Sequence, residues 1–322
     1  MSIDPTTVRV SDTLLLSDLV GCDSVYRHGY ANPVNWNRKS QYFKEATKLG
    51  KLYDRLHDEY GPYSISYGYI SPQLSKLIVK YQNPDMASYH RWDNGAAADS
   101  CFHRYVFRAE VAPIKLAHEI DEYYQYSRMI TYSESPWICI ATRYCEGIPS
   151  RKAFYENRYM GEKKPKHVRY SDNKAKRLVM KTEHTLEHDW EGNGHPTYHG
   201  GGREQYQHIR LGYNVMLTDL LYKAKYVHRG IKNKPPLDAA AFLEKAQRVA
   251  AIIDMVVHNT GARVSVVRAY DSRKCWTEHK TPIEIVPHWA DAQEVADIIC
   301  GNAIQAEIRE TSGGIERVRF YV

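Results

Sequence analysis

Apolar residues recur at spacings of three and four in two long stretches: Phe43, Ala46, Leu49, Leu52, Tyr53 and Leu56, then Phe242, Ala246, Val249, Ile252, Ile253 and Val256. Such spacing places each set on one face of a helix. Each stretch stops at a glycine, Gly61 or Gly261, and passes into an alternating run, Tyr63-Ser-Ile-Ser-Tyr67 or Arg263-Val-Ser-Val-Val267. Alternation of this kind predicts a strand with one buried face. Later runs, Ile283-Glu-Ile-Val286 and Glu316 to Val322, also read as strands.

The two patterns belong to a longer internal similarity. Val8 to Val20 aligns without a gap to Ile209 to Leu221, a shift of 201 residues that also carries Asn32 onto Asn233, Tyr69 onto Tyr270 and Ser71 onto Ser272. A repeat this long implies a duplicated structural unit rather than a solenoid. The expected organisation is α+β, with two tandem domains of helices packed on a small antiparallel sheet. These are residues 1–145 and 208–322, and a connector covers residues 146–207.

Composition changes the picture mainly in the connector. Between Arg151 and Lys181 there are eleven Lys/Arg against three Asp/Glu, an excess larger than the net charge of +6 on all 322 residues. The aromatics Phe154, Tyr155, Tyr159 and Tyr170 interleave with this charge. That mixture suits an acidic protein surface or a nucleic-acid backbone, with Lys163, Lys164, Lys166 and Arg169 as the candidate contacts. Six scattered cysteines in a chain of this size read as thiols, one of them a candidate ligand. No apolar run approaches the ~20 residues of a membrane span, and Met1 to Asp12 lacks a signal-peptide core, so a cytosolic protein without membrane attachment is expected.

The repeat carries a family resemblance. Leu217-Thr-Asp-Leu-Leu221 followed by Gly230-Ile-Lys-Asn-Lys-Pro-Pro236, a long helix and a strand, resembles the N-terminal half of the D-alanyl-D-alanine carboxypeptidase-like, Hedgehog-type zinc peptidases of bacteria and phages. In the first copy Ser66-Tyr-Gly-Tyr-Ile-Ser-Pro-Gln-Leu74 is similar to that family's Ser-Gly-Tyr-Arg-Ser-Pro-x-Leu segment. Ser88-Tyr-His90 and Gly95-Ala-Ala-Ala-Asp99 resemble its metal motif, and Glu134-Ser-Pro-Trp-Ile-Cys-Ile140 its closing strand. The resemblance implies zinc held by His90, Asp99 and Cys139, with Glu134 as the proton-transferring base.

Several departures point away from catalysis. Gly95 comes five positions after His90 where the family's glycine comes three after its histidine, and the arginine that would grip a substrate carboxylate is replaced by Ile70 and, in the second copy, Asp271. Isoleucine cannot make the paired charge-assisted bonds of an arginine. A thiolate at Cys139 adds negative charge and weakens zinc as a Lewis acid. In the second copy the closing strand offers no histidine, so no metal set can be assembled there.

Other motifs are weaker. His184-Thr-Leu-Glu-His188 fits an inverted zinc-protease pattern but stands in no clear amphipathic helix, and Gly-x-Ser-x-Gly and phosphate-loop sequences are missing. The leading expectation is therefore a pseudoenzyme: a structural or binding protein on a duplicated peptidase scaffold. Protein partners or self-assembly are expected, and the resemblance implies a phage virion component or accessory protein, in the virion or the host cytosol. The alternatives are a zinc-dependent peptidase or amidase acting on cell-wall peptides through the first copy, and a nucleic-acid-associated accessory protein using the connector.

Overall fold

Two helices organise the chain, α2 (Lys39–Tyr60) and, in the second half, α6 (Ala240–Thr260). The computed structural model describes residues 4–21, 30–34, 39–81, 90, 92, 95–102, 113–124, 126–132, 138–142, 153–158, 166–169, 211–221, 233, 240–271 and 282–322. Tyr42, Ala46, Leu49, Tyr53, Leu56 and Tyr60 form the buried stripe of α2, and Phe242, Ala246, Val249, Ile253 and Val256 that of α6. Gly61 and Gly261 end the helices at φ 78° and 68°, where a Cβ would be strained, and their N–H groups donate to the carbonyls of His57 and Val257.

Each helix packs on a sheet. The first has the order β1-β2-β4-β3-β5-β6, with β1 (Tyr63–Tyr67), β2 (Ala97–Phe102), β3 (Arg128–Tyr132), β4 (Ile138–Ala141), β5 (Ala153–Arg158) and β6 (Lys166–Arg169). The second has the order β7-β8-β10-β9, with β7 (Arg263–Arg268), β8 (Ile283–His288), β9 (Ala306–Glu310) and β10 (Glu316–Phe320). The chain is thus α+β. The first four strands of each order pair antiparallel, while β5, from the basic stretch, joins β3 in parallel and carries β6 with it. Shorter helices complete the layers: α1 (Leu16–Val20), α3 (Pro72–Tyr81), α4 (Pro113–Tyr123), α5 (Leu217–Leu221) and α7 (Ala292–Cys300). Among the described residues no helix is long and apolar enough to cross a membrane.

The halves share fine detail. Asp54 on α2 accepts from the backbone of Thr13 at 2.9 Å, and Asp254 on α6 from that of Asn214 at 2.7 Å. Asn32 donates to the carbonyls of Val20 and Tyr69, and Asn233 to those of Leu221 and Tyr270. A β-bulge falls between Ile65 and Tyr67 in β1 and between Val266 and Arg268 in β7. Each buried amide side chain ties the turn after a short helix to the end of the strand, satisfying carbonyls that the fold removes from water.

The halves also clasp each other reciprocally. Ser265 on β7 donates to Asp18 on α1 at 3.2 Å, and Ser64 on β1 donates to Asp219 on α5 at 3.4 Å. Leu15, beside α1, packs with Val267, Val286 and Ile315 on the outer face of the second sheet. One residue breaks the symmetry. Arg263 has Pro62 as its counterpart, and its buried guanidinium reaches Asp18 at 3.2 Å and Ser265 at 2.9 Å, donates to the Thr13 carbonyl and lies 4.6 Å from the Tyr63 ring centroid.

Two predictions follow from this junction. Arg263→Ala leaves the partly buried Asp18 without its guanidinium partner, and a loss of about 2–3 kcal/mol in denaturant unfolding is expected. His57 packs against Trp289 at 4.6 Å between ring centroids, and burial, reinforced by Arg263 and opposed by Asp54, pushes its pKa down to about 4 from 6.5. The unfolded chain therefore takes up this proton first, and stability contributed above pH 6.5 is lost as pH falls towards 4. Thermal melts from pH 7 to pH 4 should show His57→Phe falling less than the wild type, because neither ring nitrogen of His57 has a hydrogen-bond partner to lose.

Candidate metal centre

The strand pairing places Asp99 of β2 directly opposite Cys139 of β4, so both side chains leave the sheet on the face turned away from α2. Their neighbours Ala98 and Ile140 point the other way into the core around that helix. His90 reaches the same spot from the loop before β2. Its Nε2 lies 3.6 Å from Asp99 Oδ1 and 4.0 Å from Cys139 Sγ, and one donor atom from each residue lies within 4.8 Å of the others. Donors bound to one tetrahedral zinc at ~2.0–2.3 Å stand about 3.3–3.8 Å apart, so a small contraction would close the set.

The loop is built to aim the imidazole. His90 Nδ1 faces the Gly68 carbonyl at 2.8 Å, so Nδ1 carries a proton and Nε2 is the nitrogen turned towards Asp99 and Cys139, available to an ion that displaces any proton there. The His90 carbonyl in turn accepts from Ile70 N at 2.7 Å. Gly68 is required by crowding: a Cβ would lie 2.7 Å from Leu19 Cα and closer still to its carbonyl oxygen. The additional residues between His90 and Gly95 include Trp92, at φ 55°, whose indole is buried against Tyr69 and donates to the Ala97 carbonyl at 3.3 Å. The longer loop thus tucks in a large side chain and leaves the histidine in place.

The electrostatics favour a cation. All three donors are buried, none more than 3% exposed. Burial pulls the His90 pKa down, but the Asp99 carboxylate and the bonds to it and to Gly68 and Ala97 outweigh this and raise it. Burial, followed by Asp99, pushes the Cys139 thiol well up, and Arg128 opposes this more weakly. A divalent ion would reverse the thiol's position, since a coordinating thiol is deprotonated outright. An imidazole nitrogen, a carboxylate and a thiol form a donor set suited to zinc, and the residues present fit such an ion.

Glu134, Lys163 and Lys164 lie outside the described residues. Lys166 and Arg169 end β6, which extends the first sheet beyond β5. Ile70 is fully buried. No protein-family model, curated protein or solved structure matches the chain.

Gly68 carries a role that composition does not show, although it lies within the Ser66 to Leu74 segment singled out in the sequence. Gly68→Ala should displace the carbonyl that orients His90, lowering the melting temperature by several degrees and weakening metal binding at least tenfold in competition with a chromogenic chelator.

Proposed function

We propose that the protein is a non-catalytic scaffold or binding protein built on a duplicated zinc-peptidase-like unit, whose first copy retains one zinc ion on His90, Asp99 and Cys139. The observation that carries this reading is the convergence of the three donors, with Nδ1 of His90 already turned to a backbone carbonyl. The matching hydrogen bonds of Asn32 and Asn233, and the matching bulges, support descent from one duplicated unit. Zinc bound there would supply a fixed double positive charge that drives Cys139 to its thiolate and ties the His90 loop to β2 and β4.

Three features favour structure over turnover. A thiolate donor lowers the acidity of zinc-bound water, the donors are buried, and an apolar Ile70 stands where the resemblance calls for a substrate-gripping arginine. The working surfaces are then protein-binding ones, in the setting of a phage virion or accessory component.

Elemental analysis of the purified chain should find one zinc per molecule, absent from His90→Ala, with no hydrolysis of cell-wall peptides by the loaded protein. Zinc-dependent hydrolysis that His90→Ala abolishes would establish the peptidase reading instead. Chain without metal, unaltered in stability by added zinc, would remove both.

A further inference from the structure

The bulges and strand pairings equate positions that the linear repeat does not. Tyr67 pairs with Asp99 across the bulge of β1, and Arg268 pairs with Glu284 across the corresponding bulge of β7. Asp99 pairs with Cys139, and Glu284 with Arg319; Cys139 pairs onward with Ile130, and Arg319 with Glu307. Glu284 therefore stands where Asp99 does, Arg319 where Cys139 does, and Glu307 where Ile130 does.

The carboxylate of Glu284 is buried like that of Asp99. Arg319 binds Glu284 Oε1 at 2.6 and 3.0 Å and extends to Glu307 at 3.2 Å, while Arg317 reaches Glu284 Oε2 at 3.2 Å. The two carboxylates are thereby met by the guanidinium groups of Arg317 and Arg319, with the more exposed Arg268 at 3.4 Å from Glu284 and Arg309 at 3.0 Å from Glu307 as further additions. In the first half, a divalent ion on neutral His90 would balance the carboxylate of Asp99 and the thiolate of Cys139 in the same way.

We infer that Arg319 is the second half's built-in substitute for the ion, and hence that the ion in the first half is a resident structural cation neutralising Asp99. This rests on the zinc reading proposed above. Each half then meets one requirement, a cation beside a buried carboxylate on the second strand, by different means. The ion holds the outer face of the first sheet together as Arg319 holds that of the second, joining β8 to β9 through β10.

The test is charge relief in both halves of the full chain, with zinc content measured first. Chelation with EDTA should lower the melting temperature of the zinc-loaded wild type by roughly 5 °C or more. Asp99→Asn, which removes the buried carboxylate that the ion would neutralise beside His90, should recover at least half of that loss in EDTA. Arg319→Met should lower the melting temperature without changing zinc content, and Glu284→Gln added to it should again recover at least half, so a poorly folding single variant is read through the double variant. The inference is overturned if the wild type holds zinc but EDTA leaves its melting unchanged, or if removing the carboxylate recovers nothing in either half. A wild type without zinc overturns the reading beneath it, and is recognised before any melt is run.

Discussion

A carboxylate buried beside the centre of a sheet has to be met by positive charge, because desolvating it alone costs several kcal/mol or forces it to take up a proton. Both sheets carry such a carboxylate at the same pairing position, Asp99 and Glu284. Around Glu284 three arginines converge, and together they outweigh burial and hold its pKa below the usual carboxylate value. Around Asp99 the strand pairing brings a thiol and the loop brings an imidazole, which are donors to an ion. The arrangement of β2, β4, the His90 loop and Gly68 then reads as one device for presenting those donors.

The junction between the halves obeys the same economy of charge. Asp18 and Asp219 both lie across from a serine of the other half, but only Asp18 receives a guanidinium at hydrogen-bond distance, from Arg263. Asp219 is correspondingly pushed up to about 6, first by burial. The contacts across the junction are thus reciprocal in their serine–aspartate pairs but not in their guanidinium. The outer face of the second sheet receives Leu15 from the first half, so the halves cover surface that each would otherwise expose.

Much of this was legible in the sequence, and the rest was hidden for identifiable reasons. The helix stripes, the glycine stops and the strands β1, β7, β8 and β10 follow from periodicity, and the 201-residue shift pairs Asn32 with Asn233. His90, Asp99 and Cys139 were nameable from their motifs, but their convergence is a property of the β2–β4 pairing. The equivalence of Asp99 with Glu284 could not be read by shifting the sequence, because α3 and the His90 loop occupy a link that is far shorter between β7 and β8. The parallel addition of β5 was equally hidden, since a charged strand at a sheet edge carries little hydrophobic pattern.

X-ray absorption at the zinc edge of the loaded chain distinguishes an ion held by one sulfur, one imidazole and one carboxylate from any other coordination. One sulfur scatterer at about 2.3 Å with nitrogen or oxygen neighbours at about 2.0–2.2 Å, the sulfur lost in Cys139→Ser, is the predicted result. A coordination shell of nitrogen and oxygen alone, unchanged by that substitution, would contradict it.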